Sequence, residues 1–259
     1  MTEQSALTDE QIAELEARGF VRVDDVLTPD QVQRYAALYQ AFLDGNIVTG
    51  HLRADLGGHV DEEMTVAAPE RITQIMWPSS RLPVLHDAPL HRQALAMARR
   101  FAGEDMDFDF DMLIDKPPHT NTATPWHQDM AYWIPLPDIR SLSVWLALDE
   151  ATVDNGCMWY VPGAHKRPLR RHWEAGKGGG ALECEASEDE AEPVPLPAGS
   201  AVLHVGGALH YSRGNSTGTQ RRAFIVNCRP RAMIELERRS GMDHGLTENV
   251  RKVRGAGDE

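Results

Sequence analysis

The pattern in this sequence with the clearest chemical potential is a histidine two positions before an aspartate, His127 and Asp129. If this segment is a strand, both side chains point to the same side, because side chains alternate along a strand. An imidazole and a carboxylate on one face supply two members of the two-histidine, one-carboxylate set that holds ferrous iron and leaves coordination positions open. His-x-Asp also arises by chance on protein surfaces, so this interpretation needs a third ligand.

Two later histidines, His204 and His210, are candidates for that third ligand, and Arg221 follows them at the start of a further strand-like run. This order suits an iron enzyme that uses 2-oxoglutarate. The keto acid chelates iron through its 1-carboxylate and 2-keto oxygen, and its far carboxylate needs a planar, permanently charged partner such as a guanidinium. The spacing alone leaves both histidines open as ligands.

Short alternating apolar and polar runs separated by turn residues begin at about residue 106. They cover residues 108–114, 141–148, 200–205 and 222–228. Several short strands bounded by turns predict an antiparallel sandwich or barrel. The chain is therefore expected to be mainly β with flanking helices.

The N-terminal part, about residues 8–105, carries helix signals. Thr8 begins a capping-box pattern, and Thr28 followed by Pro29 has the form of a second helix start. Residues 20–26 between them have a strand-like pattern, and residues 89–101 repeat apolar side chains at helical intervals. These segments predict helices that pack on a β core spanning about residues 106–230, within one domain over 1–259.

Composition excludes several classes of protein. The 259 residues carry 26 basic and 39 acidic side chains, a net charge of -13, which argues against nucleic acid or an anionic membrane as the main partner. No apolar run approaches the ~18 residues of a membrane helix, and the polar N-terminus predicts no secretory signal. The three cysteines lack CxxC spacing, so we expect no disulfide framework and a reducing, cytoplasmic location.

Two segments are expected to lie at the periphery. Residues 176–192 combine a glycine-rich stretch with six carboxylates in ten positions, which predicts a solvated, mobile insertion, with a lid over the active site as the alternative. Residues from about 235 to 259 predict a peripheral helix and a frayed tail.

The ordered motifs together resemble a known family over about residues 7–230. They are residues 7–11, 19–20, 27–30, 71–75, 112–118, 127–129, 154–158, 161–166 and 210–212, followed by Asn215 and Arg221, eleven residues after His210. This set resembles the phytanoyl-CoA dioxygenase family of iron- and 2-oxoglutarate-dependent oxygenases. The stretch from Asp154 to Lys166 is the most family-specific piece.

The resemblance implies a double-stranded β-helix core, a jelly roll like that of cupins, and a complete site. It implies His127, Asp129 and His210 as catalytic iron ligands and favours His210 over His204. Arg221 would bind the distal carboxylate of 2-oxoglutarate, with the hydroxyl of Ser212 beside it. The other implied residues of the cosubstrate pocket are Trp145, Met112 and Gln74, the last where some members have a lysine.

The implied reaction is hydroxylation of an unactivated C–H bond of a small-molecule metabolite, with Fe(II), 2-oxoglutarate and O2 required and succinate and CO2 released. Desaturation or ring formation would share the first steps. Trp133 is the best candidate for substrate contact, followed by Met130 and Tyr132. A cationic or neutral substrate is preferred because the chain is acidic, and the oligomeric state is left open. A cupin-like metal enzyme without redox turnover, or a metal-binding module, is the alternative.

Overall fold

The computed structural model describes residues 7–57, 70–175 and 181–247. Within these residues five α-helices form: α1 (Asp9–Arg18), α2 (Pro29–Leu43), α3 (Pro78–Arg81), α4 (Pro89–Ala102) and α5 (Arg231–Arg239). The strands of the same residues are β1 (Phe20–Val23), β2 (Arg53–Asp55), β3 (Thr73–Met76), β4 (Met106–Lys116), β5 (Thr124–His127), β6 (Leu142–Ala147), β7 (Met158–Tyr160), β8 (Trp173–Glu174), β9 (Leu182–Glu183), β10 (Glu192–Val194), β11 (Ala201–His204), β12 (His210–Ser212) and β13 (Arg221–Pro230).

Two capping boxes start the first two helices, as the sequence predicts. The Thr8 hydroxyl accepts from the Gln11 N–H at 3.1 Å, and the Gln11 side chain accepts from the Thr8 N–H at 3.0 Å. Thr28 and Gln31 repeat the arrangement at α2, with Pro29 in the first turn. Helix α4 begins at Pro89 and ends one residue beyond the predicted 89–101.

The strands form two facing sheets of a jelly roll, so the predicted fold is confirmed. The seven-stranded sheet has the order β1-β11-β6-β13-β4-β3-β2, and the four-stranded sheet has the order β10-β7-β12-β5. Strands β1, β2 and β3 come from the part of the chain expected to supply mainly helices, and they extend both edges of the large sheet. The extent of the domain as 1–259 stays a prediction.

Strand β13 shows how alternation divides the large sheet into two faces. Phe224 and Val226 belong to the core beneath the helices, whereas Ala223 and Ile225 belong to the core between the sheets. The same parity directs Arg221 and Asn227 toward the interior of the jelly roll, where both line one cavity.

Residues 181–192, the described part of the acidic segment 176–192, are not the solvated insertion that the sequence predicts. Residues 181–192 include β9 and a 3-10 helix, Glu188–Glu190. Arg213 Nε donates to Glu188 at 2.7 Å, and Arg170 Nη2 donates to Glu190 at 2.8 Å. These basic partners hold the carboxylates against the body of the protein. Residues 176–180 lie outside the described residues.

The C-terminal segment is also more integrated than predicted. Helix α5 contacts β4 and β13, and its Glu237 is fully buried. Residues 241–245 follow the helix and line the interior cavity. The remainder of the expected tail, residues 248–259, is not described. Among the helices of the described residues, none has the length and apolar character needed to cross a bilayer.

Candidate metal and cosubstrate site

Two paired strands of the small sheet bring two histidines side by side. His127 ends β5, His210 begins β12, and the two residues are directly opposed in the antiparallel register. Their ring centroids are 4.2 Å apart. Asp129 Oδ1 lies 3.7 Å from His127 Nε2 and 3.8 Å from His210 Nε2. One ligand atom from each of the three residues lies within 4.8 Å of the others, which is close enough to hold one metal ion.

Asp129 reaches this cluster because the backbone stays extended for one residue beyond the strand. Strand β5 ends at His127, and Gln128 has φ -124° and ψ 129° before the 3-10 helix Asp129–Tyr132 begins. Side chains alternate along extended backbone, so His127 and Asp129 point to the same side. The expected convergence of the two side chains is observed.

Backbone carbonyls orient both imidazoles. His127 Nδ1 lies 2.8 Å from the Pro125 carbonyl oxygen, and His210 Nδ1 lies 3.0 Å from that of Ala208. A proton on Nδ1 that is donated to the carbonyl leaves the lone pair on Nε2, which faces Asp129 in each case. Burial lowers the pKa of His210 well below its usual value, so this imidazole is neutral and able to bind a metal.

The second oxygen of Asp129 has its own partners. His204 Nε2 donates to Asp129 Oδ2 at 3.1 Å, and Ser143 Oγ lies 3.3 Å from the same oxygen. Tyr160 donates its hydroxyl proton to His204 Nδ1 at 3.0 Å, which leaves the His204 proton on Nε2. Burial alone would raise the pKa of Asp129, but the hydrogen bond from His204 and the nearby imidazoles hold it well below its usual value. Asp129 is therefore ionised.

Arg221 is a buried cation whose donors are incompletely used. Arg221 is 1% exposed, and its Nε and Nη1 have no hydrogen-bond partner within the described residues. The guanidinium carbon lies 5.3 Å from the ring centroid of Trp145. Burial lowers the pKa of Arg221 to about 10, so the group is still charged at neutral pH. A buried charge with unpaired donors is costly, which favours an anionic ligand at this position.

Most of the predicted site residues line the same cavity. They are His127, Asp129, His210, Arg221, Ser212, Trp145, Met112, Gln74, Trp133 and Tyr132. Gln74 donates to the sulfur of Met112 at 3.4 Å, and the Tyr132 hydroxyl accepts from the Leu182 N–H at 2.7 Å. Met130 does not line the cavity, contrary to its prediction as a substrate contact. The 3-10 helix turns Met130 toward Gly206 and Gly207.

Part of the cavity wall consists of residues that were not predicted from the sequence. The missed lining residues include Phe110, Asn227, Met242 and His244. Strand parity from Arg221 would have placed Asn227 on the inner face of β13, but Met242 and His244 follow α5 and carry no pattern that links them to a site. His204, which was considered as a ligand, instead donates to the carboxylate of Asp129.

A jelly roll with two histidines and an ionised carboxylate facing one interior cavity is typical of non-haem metal oxygenases. The family model described as phytanoyl-CoA dioxygenase (PhyH) matches residues 15–223. The chain belongs to the phytanoyl-CoA dioxygenase family, and the resemblance predicted from its motifs is confirmed.

Curated relatives share parts of this chain. Phytanoyl-CoA dioxygenase domain-containing protein 1 of Rattus norvegicus is 34% identical over 123 residues, which are 45% of this chain and 42% of the relative. The peroxisomal phytanoyl-CoA dioxygenase of Bos taurus is 26% identical over 186 residues, 67% of this chain and 53% of the relative. The chain thus spans about half the length of these curated relatives.

Solved structures share most of the fold. EvdO2 from Micromonospora carbonacea var. aurantiaca, in its complex with 2-oxoglutarate, is 30% identical, with a TM-score of 0.68 over 88% of this chain and 93% of EvdO2. EctD from S. alaskensis in its apo form is 18% identical, with a TM-score of 0.67 over 90% of this chain and 80% of EctD. The EctD likeness concerns the fold alone.

Proposed function

We propose that this protein is an Fe(II)- and 2-oxoglutarate-dependent oxygenase that hydroxylates a C–H bond of a small-molecule metabolite. The observation that carries this proposal is the buried, incompletely paired guanidinium of Arg221 in the same cavity as His127, Asp129 and His210. A metal site alone needs no such cation, whereas a dicarboxylate cosubstrate does. Family membership and the 2-oxoglutarate complex of EvdO2 support the same assignment.

The donor set fits ferrous iron. Two neutral imidazole nitrogens and one carboxylate oxygen are the ligands of non-haem iron oxygenases, and three protein ligands leave positions for further oxygen donors. His127, Asp129 and His210 would hold the ion. Hydrogen bonds from Nδ1 of both histidines to backbone carbonyls fix the rings in the orientation that this role needs.

Another part of the cavity wall fits the cosubstrate. Arg221 would bind the distal carboxylate of 2-oxoglutarate through two parallel hydrogen bonds, with the Ser212 hydroxyl beside it. Trp145 supports the guanidinium from one side, and Gln74 and Met112 complete the wall. A planar guanidinium in this position would orient the keto acid within the cavity that the metal ligands also line.

Iron, 2-oxoglutarate and O2 when bound would supply the oxidation, with succinate and CO2 as coproducts. The chain's own residues bind, orient and shield these groups: Asp129 is held ionised by His204, and the apolar walls exclude water. Hydroxylation, desaturation and ring formation all begin with removal of a substrate hydrogen, and the mass of the product distinguishes them. Cytoplasmic location stays a prediction.

A cupin-like metal enzyme without redox turnover is the second candidate, since it would share the three ligands. It would have no use for the unpaired donors of Arg221. The test is succinate formation from 2-oxoglutarate by purified protein, with and without Fe(II) and with oxygen removed, during a screen of candidate metabolites. Succinate that requires both iron and oxygen supports the oxygenase, and its absence with every substrate contradicts it.

A further inference from the structure

Lys116 is a buried lysine at the end of β4, next to the residue expected to bind the cosubstrate. It is 0% exposed. Met112 and Ile114 line the cavity, and alternation along β4 places Lys116 next on the same face. Arg221 is directly opposite Lys116 in the antiparallel register of β13 and β4. The two cationic side chains are therefore cross-strand neighbours on the inner side of the large sheet.

The ammonium group of Lys116 is hydrogen-bonded to backbone oxygens. Nζ donates to the carbonyls of Thr122 and Ser212, each at 3.2 Å, and to that of Arg213 at 2.7 Å. Three acceptors match the three protons of the charged form, whereas a neutral amine would turn its lone pair toward one of the oxygens. None of these acceptors is a carboxylate. The charge is thus hydrogen-bonded by the backbone but not compensated.

Holding this charge in the interior is costly. Burial, and after it the charge of Arg221, lower the pKa of Lys116 well below its usual value. Like charges directly opposed across two strands also destabilise a sheet. Arg221 itself has unpaired donors at Nε and Nη1 within the described residues. An anion beside Arg221 would lower the cost of both charges.

The charges around this pair leave one positive charge in excess. The cations are Lys116 on β4 with Arg221 and Arg222 on β13, and the acids are Asp115 on β4 and Asp149 after β6. Asp149 pairs with Arg222 at 2.8 Å. Asp115 alternates to the other face of β4, and its charge stabilises that of Arg221. With both acids ionised, three cations face two anions, so one monoanionic group at Arg221 would balance them.

The other titratable side chains around this pair do not change the balance. Arg213 pairs with Glu188, with 2.7 Å between Nε and Oε1. Burial raises the pKa of Cys157 to about 11 and that of Tyr39 well above its usual value, so both are neutral. Two further titratable residues of the adjoining turns are exposed, so that solvent screens any charge they carry, namely His119 and Asp154.

A tight turn packs against the stem of the lysine and one of its acceptors. Gly156 has φ +97°, and a Cβ on it would lie 3.3 Å from Cδ of Lys116 and 2.6 Å from the carbonyl oxygen of Arg213. A side chain at this position would therefore displace the carbonyl that the ammonium group binds. The contact accounts for a glycine in the segment 154–158.

We propose that Lys116 supplies a second positive charge to the cosubstrate site and, together with Arg221, stabilises the distal carboxylate of 2-oxoglutarate. This inference rests on the proposed function. Lys116 acts as a positioning residue, because its three protons are committed to carbonyls. Its charge acts on the carboxylate over a distance, and its bond to the Ser212 carbonyl holds a residue whose hydroxyl the same site uses.

The test compares two keto acids that differ in charge at the distal end. 5-Methyl-2-oxohexanoate has two methyl groups where 2-oxoglutarate has two distal carboxylate oxygens, so it is similar in shape but lacks the distal charge. Calorimetry without oxygen, on protein saturated with Fe(II), measures the affinity for each. Lys116→Met keeps the approximate length of the side chain and removes its charge. We expect it to weaken 2-oxoglutarate binding about 10-fold or more, and 5-methyl-2-oxohexanoate binding by no more than about twofold.

Two further variants separate the charge from folding. Lys116→Gln retains hydrogen-bond donors for the carbonyls and should show the same selective loss, also if Lys116→Met does not fold. Lys166→Met removes the same charge from an exposed lysine and should change neither affinity.

Two outcomes would overturn the inference. Equal weakening of both keto acids by the Lys116 variants would leave this lysine a structural role alone, and unchanged 2-oxoglutarate affinity would remove it from the site. Failure of the unsubstituted protein to bind 2-oxoglutarate would instead contradict the proposed function, so the two failures are distinguishable.

Discussion

His204 donates a hydrogen bond from Nε2 to Oδ2 of Asp129 at 3.1 Å. The other oxygen, Oδ1, faces the Nε2 atoms of His127 and His210 at 3.7 Å and 3.8 Å. The two oxygens of one carboxylate thus have separate surroundings, one hydrogen-bonded and one directed to the two imidazoles. This division predicts different roles for histidines that the sequence alone presents as rivals.

Removal of His210 should abolish metal binding, whereas removal of His204 should only weaken it. We expect His204→Ala to lower Fe(II) affinity about 10- to 100-fold, because a group that orients a ligand is lost while the ligands remain. Calorimetric titration with Fe(II) under anaerobic conditions measures both variants. His86→Ala, at an exposed position outside the cavity, is the control. Complete loss in His204→Ala with retention in His210→Ala would reverse the assignment.

Adjacent arginines allow a matched test of the cosubstrate site. Arg221→Ala should raise the 2-oxoglutarate concentration needed for half-maximal binding by roughly 30-fold or more, since losing one partner of a buried charged pair costs about 2–5 kcal/mol. Arg222 turns to the other face of β13, where it pairs with Asp149 at 2.8 Å. Arg222→Ala should leave 2-oxoglutarate binding unchanged. Equal losses in both variants, measured by calorimetry, would contradict the specific role of Arg221.

Asp115 should make the protein less stable as the pH rises. Burial raises the pKa of Asp115 from 3.8 to about 6, with a hydrogen bond from Gln220 opposing the shift. Below pH 3.8 the carboxyl is protonated in both the folded and the unfolded protein. Between pH 3.8 and about 6 the unfolded chain releases a proton that the folded chain keeps. The folded state therefore loses about 3 kcal/mol of relative stability across this window, a loss that is complete above it.

Asp115→Asn removes that titration, and its amide oxygen still accepts from Gln220. We expect the free energy of unfolding of the variant, relative to the original protein, to increase by about 2–3 kcal/mol between about pH 4 and pH 7. Urea unfolding at each pH measures the difference, and the exposed Asp189→Asn serves as the control. A constant difference across the range would contradict the raised pKa.

Glu237 on helix α5 should be essential for fixing the C-terminal part of the cavity wall. Glu237 is 0% exposed and pairs with Arg229, which is 1% exposed, so Glu237→Gln leaves a buried cation poorly compensated. We expect a cost of about 3–5 kcal/mol in the free energy of unfolding. Amide hydrogen exchange of residues 240–247 should also become faster.

The control lies on the same helix. Glu235 pairs with Arg239 at the surface, with side chains 58% and 67% exposed. Glu235→Gln should change stability by no more than about 0.5 kcal/mol. Equal effects of the two substitutions in urea unfolding would show that the buried cluster does not hold the helix.

The sequence by itself determined the elements whose signals are local. Capping residues set the starts of α1 and α2, and alternation along β13 placed Arg221 and Arg222 on opposite faces of the strand. The ordered motifs also determined the family. These features could be predicted because each depends on neighbours in sequence, through hydrogen bonds within one turn or through side-chain alternation.

Only the tertiary structure decided what surrounds Oδ2 of Asp129 and which residues after α5 form part of the cavity wall. The contact of His204 with Asp129 joins β11 to the turn after β5, 75 residues apart in the chain. The wall formed after α5 depends on a buried ion cluster between Glu237 and Arg229. Such contacts follow from the closure of the jelly roll and from compensation of buried charge, and neither leaves a periodic pattern in the sequence.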